Sequence, residues 1–429
     1  MNSAAVALIV VLIIALLLGF PIIWSLALAS VVSIALNPEL QFVIIPQRLF
    51  AGADSFSLLA VPAFMLAGDI MSKGGLSKRL VDFANAFFGW ISGGLSIVAL
   101  ISCTFFAAIS GSSVATTAAI GGIMHPEMVK KGYPSDYSAA VQAVGGTLGI
   151  VIPPSIVFVI YGNVTGASIS GLLMAGIIPG ILAGVALCVY AWYKAKKMGW
   201  PKEDKFDGKV ALKATKNAIW ALLMPVVILG GIYAGIFTPT ESAVVAVFYG
   251  VLVCLLVYRE MNLKKLWEIL KGTAVSTANI MMLVVTAQVF AYLITYYNIP
   301  AAVASVVISV CHSKAIFLLM TILLMAIAGM FMDNGSIILI LGPILAPLAV
   351  MYGINPVHYG LLIVFVLAMG QVTPPFGTCM FVACGISNRP VAGVARALLH
   401  LSEWKSCAQS CSHSFRHCQH FYRICLVSL

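Results

Sequence analysis

Residues 149–155 read GIVIPPS, and residues 370–377 read GQVTPPFG. Each tandem proline interrupts sequence that is otherwise apolar enough for a membrane helix. Two prolines remove two N–H donors and leave carbonyl groups without helical partners one turn back. Such groups are tolerated at membrane depth only where they are buried in protein or line a wet cavity. The two stretches therefore predict two broken helices around an internal site.

The two breaks belong to an internal repeat with an offset of 221 residues, the separation of Gly121 and Gly342. At this offset, backbone-shaping residues coincide without a gap. The pairs are Gly121 and Gly342, Pro126 and Pro347, Gly132 and Gly353, Gly149 and Gly370, Pro153 and Pro374, and Pro154 and Pro375. All are Gly or Pro, so the halves repeat a backbone path rather than a side-chain chemistry. Weak internal repeats of this kind are typical of secondary transporters.

A small polar turn precedes each break. Residues 109–114 read ISGSSV, and residues 332–337 read MDNGSI. A polar turn between apolar arms leaves backbone groups unpaired unless protein encloses it, so each turn predicts the tip of a re-entrant hairpin. Unwound carbonyls together with hydroxyl and amide oxygens suit a monovalent cation such as Na⁺. Helix N-termini aimed at the same place favour an anion.

Simpler interpretations stay open for each motif. The serines of the first turn are also compatible with close helix packing, the proline pairs with plain kinks, and Asp333 with an interfacial cap. An ionisable residue inside a membrane segment is nevertheless a functional hypothesis by default. Asp69 and Glu241 lie in or beside apolar runs as well, but their sequence neighbours form no polar constellation. We expect those two at helix ends or in a scaffold.

The composition excludes an ordinary soluble protein. Of the 429 residues, 61% are hydrophobic and only 9% are charged, whereas soluble domains carry about 25% charged residues. Several apolar runs reach the roughly 20 residues that a helix needs to cross the hydrocarbon core. The sequence therefore predicts an all-α polytopic membrane protein.

The basic residues mark loops rather than a surface for nucleic acid. Eight lysines lie between Lys194 and Lys216, and a second basic group spans residues 259–271. Such clusters are typical of cytoplasmic loops. The predicted divisions are a first membrane repeat over residues 1–198, a Lys-rich cytoplasmic linker over 199–217, a second membrane repeat over 218–399 and an aberrant polar tail over 400–429.

No catalytic arrangement is present in the apolar body. The sequence has no P-loop for ATP, and it has neither a Ser/His/Asp arrangement nor metal-ligand spacing there. We therefore predict that the protein is not an enzyme, and the absence of a nucleotide motif favours secondary transport driven by an ion gradient.

Taken together, the motifs resemble the large membrane subunit of a TRAP (tripartite ATP-independent periplasmic) transporter, from the N-terminus to about Leu399. The resemblance rests on several stretches jointly. They are GADSFSLLAVPAFMLAGDIM at 52–71, SGSSVATTAAIG at 110–121, IPPSIVFVIYG at 152–162, FTPTESAVVA at 237–246, MDNGS at 332–336 and VTPPFG at 372–377. Many family members carry Leu-Thr-Pro where this chain has Asn334-Gly335-Ser336.

The resemblance implies an elevator-type fold of two inverted repeats in the bacterial inner membrane, with a mobile transport domain beside a fixed scaffold. It also implies Na⁺ as coupling ion without other cofactors or a transition metal. The implied partners are a small four-helix membrane subunit, a periplasmic binding protein, the lipid bilayer and a small organic anion of the carboxylate, sugar-acid or sialic-acid type. Two rival interpretations are a stand-alone Na⁺-coupled anion or dicarboxylate transporter and a non-transporting assembly or sensor protein.

The resemblance further implies two Na⁺ sites, each joining a tip to a break, with the substrate between the tips. The implied Na⁺ ligands are Ser110, Gly111, Ser112, Ser113, Gly149 and Ile152 in the first half, and Asp333, Asn334, Ser336, Gly370 and Thr373 in the second. The implied substrate contacts are Ser112, Pro154, Ser155, Gln371, Thr373 and Pro375.

The composition changes abruptly after Leu399. The remaining residues hold four of the seven histidines and four of the ten cysteines, but their spacing matches no familiar zinc finger. Permitted codons for His400 onward, read two bases later, encode an apolar segment of helix length. We therefore predict that a one-base deletion near codon 400 replaced a final membrane helix, which sequencing of the DNA tests.

Overall fold

The structure, a computed structural model, describes residues 3–200, 206–311 and 313–401. All regular secondary structure in these residues is helical, as the composition predicts. The helices of the first half are α1 Ser3–Leu17, α2 Ile22–Ala35, α3 Ile44–Ala53, α4 Ala60–Lys73, α5 Leu76–Phe88, α6 Gly94–Ser110, α7 Ser113–Lys130, α8 Ser135–Val151, α9 Ile156–Thr165 and α10 Ile169–Met198. A short 3₁₀ turn, Phe56–Leu59, leads into α4.

The second half contains longer helices before its own hairpin. They are α11 Gly208–Tyr233, α12 Pro239–Leu252, α13 Leu263–Tyr296, α14 Ile299–Val310, α15 Lys314–Phe331, α16 Asn334–Met351, α17 Pro356–Gly370, α18 Thr378–Ser387 and α19 Val391–Leu401. A π-helical segment, Val253–Val257, continues α12. Within the described ranges, seven helical segments are long and apolar enough to cross a membrane. α8 and α9 together form an eighth candidate span, bent by 42° at the first proline pair.

The 221-residue offset relates whole helices as well as single residues. It carries Ser113 and Ser135, the first residues of α7 and α8, onto Asn334 and Pro356, the first residues of α16 and α17. It carries the starts of α6, α9 and α10 to within one residue of the starts of α15, α18 and α19. Both proline pairs also contain a cis peptide bond. The predicted repeat of hairpin and broken helix is therefore confirmed.

The first hairpin, α6–α7, opens toward the Lys-rich connection between α10 and α11, the side that is predicted to be cytoplasmic. Trp200 follows the end of α10. Its ring centroid lies 4.9 Å from that of Tyr133 and 4.2 Å from that of Tyr137, at the start of α8. The base of the first hairpin, where α7 leads into α8, is therefore on the side of the Lys-rich connection.

The second hairpin, α15–α16, opens toward the opposite side. Tyr161 of α9, beyond the first break, donates a 3.2 Å hydrogen bond to the carbonyl of Pro356 at the start of α17. Lys314 at the start of α15 donates to the carbonyl of Gly353 at 3.3 Å. The base of this hairpin thus lies on the side away from the Lys-rich connection, and the two repeats are inverted, as predicted.

Helices α3, α4 and α13 form a wall beside the hairpins. The Thr273 hydroxyl of α13 donates to the Asp69 carboxylate of α4 at 2.5 Å. Gly52 of α3 packs so closely on α13 that a Cβ there would lie 2.9 Å from Cγ of Gln288. With 34 residues, α13 is roughly 50 Å long and runs along the whole wall.

The connection between the halves is partly helical. α10 ends at Met198 and α11 begins at Gly208, capped by the Asp207 side chain, so the later part of the predicted linker is helix. Residues 201–205 and residues from 402 onward lie outside the described ranges. The replaced final helix therefore stays a prediction.

Candidate functional site

Tip one is the turn Ser110–Ser113 between α6 and α7. Gly111 ends α6 with φ +61°, a left-handed conformation that glycine adopts without steric cost. The Ser112 side chain caps α7 by accepting the N–H of Ala115 at 3.4 Å, which satisfies one of the free donors of a helix start. Ser110 is buried, and its hydroxyl is bonded to that of Thr116 at 2.9 Å.

Tip one and the first proline break are in direct contact. The N–H of Ile156 donates to the carbonyl of Gly111 at 3.2 Å. Gly149 lies so close to the tip that a Cβ there would be 2.5 Å from the carbonyl oxygen of Ser112. The structure therefore brings together the tip and the break that the sequence joined in one predicted Na⁺ site.

Tip two is the turn between α15 and α16, and Asp333 caps it. The Asp333 carboxylate accepts the N–H of Ser336 at 3.1 Å and also a short hydrogen bond from the Ser336 hydroxyl. An acidic cap stabilises the positive end of a helix. Asn334 is only 3% exposed, and neither its amide oxygen nor its amide nitrogen has a hydrogen-bond partner.

The second proline break meets its hairpin one turn before tip two. The N–H of Phe376 donates to the carbonyl of Met330 at 3.0 Å. A Cβ at Gly370 would lie 2.7 Å from Cα of Gly329. The contact between break and hairpin therefore differs between the two halves, although the helix starts coincide.

Both tips border one cavity of about 280 Å³, which we call the tip cavity. The first turns of four helices line it. They contribute Val114 and Ala115 of α7, Ile156 and Val157 of α9, Asn334 and Gly335 of α16, and Thr378 of α18. Helix N-termini carry partial positive charge and free N–H groups, so their convergence favours an anion.

The ionisable side chains that line the tip cavity are acidic. Asp69 and Asp333 belong to the lining, and among the described residues no Lys, Arg or His does. Asp333 faces the first turn of α16, and Asp69 accepts from Thr273. An anion in this cavity is therefore bound by helix N-termini and neutral polar groups. A cation bound near the two carboxylates would lower the electrostatic cost of placing the anion in this cavity.

The predicted site residues divide into two groups. The lining of the tip cavity includes Ser110, Gly111, Ser112, Ser113, Asp333, Asn334 and Gln371. It does not include Gly149, Ile152, Pro154, Ser155, Ser336, Gly370, Thr373 or Pro375. The Ser155 hydroxyl donates to the carbonyl of Ile150 at 2.6 Å and accepts the N–H of Phe158. The Thr373 hydroxyl donates to the carbonyl of Met369 at 2.8 Å. Both hydroxyls therefore bond within their own broken helix.

Sequence reasoning missed the contribution of the wall. Two helices of the wall contribute to the lining of the tip cavity. These contributions are Met65, Gly68 and Asp69 from α4, and Ile280 and Leu283 from α13. We expected Asp69 at a helix end or in a scaffold, because its sequence neighbours are apolar. Its polar partner, Thr273, is 204 residues away, so no local signal could have revealed the pair. The same expectation is confirmed for Glu241, which forms a capping box with Thr238 at the start of α12.

The fold is similar to that of a solved transporter. The crystal structure of the Alcanivorax borkumensis YdaH transporter covers 82% of this chain and 84% of its own, with a TM-score of 0.62. At 15% sequence identity this likeness shows the fold alone.

A comparison of the sequence with family profiles identifies the family. Residues 9–402 match the profile of the tripartite ATP-independent periplasmic transporter, DctM component. The chain belongs to the DctM family. The resemblance inferred from the motifs is thereby confirmed, and with it a multi-pass protein of the inner membrane.

Several DctM relatives are similar over most of this chain. The C4-dicarboxylate TRAP transporter large permease protein of Pseudomonas aeruginosa is 42% identical, covering 82% of each chain. The 2,3-diketo-L-gulonate TRAP transporter large permease protein of Escherichia coli is 39% identical, covering 86% of this chain and 87% of its own. The isethionate TRAP transporter permease protein of Oleidesulfovibrio alaskensis is 40% identical over 90% of this chain, which spans only 61% of that longer relative.

Proposed function

We propose that this DctM chain is the transport subunit of a Na⁺-coupled, binding-protein-dependent importer of a small organic anion. The observation that carries the proposal is the convergence of four helix N-termini, from two inverted repeats, on one cavity. A binding site built from the ends of broken helices is typical of secondary transporters. The homologous permeases named above are assigned to organic acids, which agrees with an anionic substrate.

Na⁺ coupling is supported by the charges around the tips. The tip cavity has two carboxylates and no basic side chain in its lining. A carboxylate substrate entering alone would meet Asp69 and Asp333 without a neutralising cation. Na⁺ bound at tip one, where Ser110 and the carbonyl of Ser112 lie beside Gly149, would supply that charge through oxygen ligands.

The tip cavity also supports a polar rather than a purely hydrocarbon substrate. Asn334 offers an unbonded donor and an unbonded acceptor, and the hydroxyl of Thr378 is likewise buried without a partner. Both border the cavity. A bound organic acid would pair with these groups, because buried polar atoms are costly when unsatisfied.

Partners follow from the family. A tripartite system combines the large permease with a small membrane subunit and a periplasmic binding protein, and we assign both partners to this chain. The large permease then carries the transport site, and the binding protein delivers the acid at the periplasmic side.

Reconstitution tests the proposal. Proteoliposomes containing the chain and its small membrane subunit are offered a panel of labelled organic acids, with and without an inward Na⁺ gradient and with and without the binding protein. We expect uptake of at least one acid, and only when both are present. The chain with the restored reading frame after residue 399 is assayed in parallel, because the predicted deletion removes a helix.

Each outcome decides between stated alternatives. Uptake that persists without the binding protein would favour a stand-alone anion transporter. Uptake that persists after a sodium ionophore collapses the gradient would contradict Na⁺ coupling. If no acid of the panel enters with either chain under any condition, the transport assignment itself is wrong.

A further inference from the structure

A second cavity, of about 630 Å³, extends to Pro356 at the base of the second hairpin, on the side away from the Lys-rich connection. We call it the entry cavity. It lies among the later parts of α9, α13 and α16 and the helix α3. On α13 its lining begins at Gln288 and continues to Thr295, whereas the tip cavity reaches Leu283. At 1.5 Å per residue the entry cavity is displaced from the tip cavity by roughly 8–18 Å along this helix.

The electrostatics of the entry cavity are opposite to those of the tip cavity. Arg48 of α3 lines it, and no Asp or Glu does. In the described part of the chain, no carboxylate lies within ion-pair distance of Arg48. A guanidinium without a carboxylate partner retains its capacity to bind a planar anion through two parallel hydrogen bonds.

Two neighbours prepare this position for a ligand. The guanidinium carbon of Arg48 lies 3.9 Å from the centroid of the Tyr292 ring, which holds the side chain by a cation–π interaction. Asn163 donates from Nδ2 to the Ser55 hydroxyl at 2.7 Å, but its Oδ1 is buried and has no partner. Both residues line the entry cavity. Because the two amide atoms of Asn can exchange places, the unpartnered atom offers a ligand one further hydrogen bond of either sense.

We propose that the entry cavity is a second anion site, in which Arg48 binds the carboxylate of the organic acid before the acid reaches the tip cavity. The proposal rests on the proposed function for its transport role. It differs from that function in assigning a separate site, a basic residue and a periplasmic location. The two cavities then have complementary tasks. The entry site attracts an anion by charge, and the tip cavity accepts it only together with a cation.

Cysteine protection tests the entry site without requiring transport. Ala51 lines the entry cavity one helical turn after Arg48, and Ala51→Cys places a small thiol there. Proteoliposomes carrying this variant are labelled with a membrane-impermeant maleimide in the presence of malate, lactate or gluconate. We expect at least one acid to slow labelling at millimolar concentration, whereas uncharged erythritol has no effect. Ser305→Cys, on the exposed surface of α14 outside the cavity, serves as the matched control.

The role of Arg48 is tested in the same background. A charge-assisted hydrogen bond is about twice as strong as a neutral one, so Arg48→Gln should raise the protecting acid concentration at least about tenfold. Arg48→Lys should restore part of the effect. Tyr292→Phe, which keeps the ring, should behave like the parent, whereas Tyr292→Leu should weaken protection. The parent chain without an introduced cysteine gives the background from its own ten cysteines.

Three outcomes would overturn the proposal. They are absence of protection by every acid, equal protection in the Arg48→Gln background, and protection that depends on anionic lipid but not on the acid. The last result would assign Arg48 to lipid headgroups. Failure of uptake with intact protection would contradict the proposed transport function while leaving the entry site standing. In working proteoliposomes, Arg48→Gln should raise KM and change the maximal rate little.

Discussion

At the scale of single residues, Asn334 is expected to lower the stability of the protein and to increase its affinity for the substrate. Its side chain is almost fully buried, and both amide atoms lack partners. A residue chosen for stability alone would be apolar here, since an unsatisfied buried amide costs about 1–3 kcal/mol. Its position at tip two, in the lining of the tip cavity, makes it a residue that we expect to bind the substrate.

Asn334→Leu should therefore separate stability from affinity. Leu has the same number and branching of side-chain heavy atoms as Asn, and the adjoining tip cavity leaves room for its larger methyl groups. Removing the unpaired amide should therefore raise the free energy of unfolding by about 1 kcal/mol. The KM for uptake should rise at least about tenfold, because one hydrogen-bonding partner of the substrate is lost. Thermal unfolding in detergent and initial uptake rates measure the two quantities.

Asn355→Leu provides the matched control for this prediction. Asn355 caps α17 by accepting the N–H of Val357 at 2.8 Å and lies outside the tip cavity. Its loss should lower stability by about 1 kcal/mol and leave KM unchanged. An unaltered KM in Asn334→Leu would show that the Asn334 amide does not contact the substrate.

At the scale of elements, the tip and the break of the first half act as one unit. The carbonyl of Gly111 accepts from the helix start beyond the break, and Gly149 allows the carbonyl of Ser112 to approach. Neither α6–α7 nor α8–α9 provides the predicted set of Na⁺ ligands alone. The hairpin and the broken helix must therefore remain in contact for the ion site to exist.

Gly149→Ala tests this contact. The added Cβ would lie 2.5 Å from a backbone oxygen of the tip, which cannot rotate away as a side chain can. We expect a loss of about 1–3 kcal/mol in stability from overpacking and a higher Na⁺ concentration for half-maximal uptake.

Gly122→Ala is the control, within α7 of the same hairpin. A Cβ at Gly122 meets no atom within 4 Å, so the change should stabilise the helix by about 0.5–1 kcal/mol without altering the Na⁺ dependence. Equal Na⁺ dependence in the two variants would contradict a Na⁺ site between tip one and its break.

At the scale of the whole molecule, the hairpins and broken helices face the wall formed by α3, α4 and α13. The two cavities lie at successive heights along that wall. An elevator mechanism requires the hairpins to slide against α4 and α13, so contacts across this boundary must break during transport. Contacts within the hairpin and broken-helix unit need not break.

A disulfide across this boundary should stop transport reversibly. A Cβ at Gly68 would lie 3.5 Å from Cβ of Ser110, within the span that a disulfide bridges. Because Ser110 belongs to the proposed Na⁺ site, the variant Gly68→Cys/Ser110→Cys is assayed at a saturating Na⁺ concentration. We expect it to lose uptake on oxidation and to recover its pre-oxidation rate on reduction. Mass spectrometry of proteolytic fragments verifies the cross-link.

A second cysteine pair controls for oxidation itself. Gly121→Cys/Gln142→Cys joins α7 to α8, where a Cβ at Gly121 would lie 3.3 Å from that of Gln142. Both helices belong to the same proposed moving unit, so oxidation should leave uptake at its reduced level. Full uptake by the cross-linked Gly68/Ser110 variant would exclude sliding of tip one along α4.

The sequence by itself determined the class, the repeat and the local backbone of the site. Gly111 ends a helix because it adopts a positive φ angle. Ser112 and Asp333 each begin a helix by capping its first turn with their side chains. The proline pairs break helices because proline lacks an N–H donor. These effects act within one turn, so the residue order reveals them. The 221-residue offset then predicted the second hairpin from the first.

Only the tertiary structure decided which groups meet. It placed Asp69 beside Thr273 at the tip cavity and Arg48 over Tyr292 in the entry cavity. It also kept the Ser155 and Thr373 hydroxyls on carbonyls of their own helices. The first two pairings join residues more than 200 positions apart, and they depend on how the wall packs against the hairpins. No local pattern encodes that packing, because an apolar helix surface gives the same sequence signal whether it faces lipid or another helix.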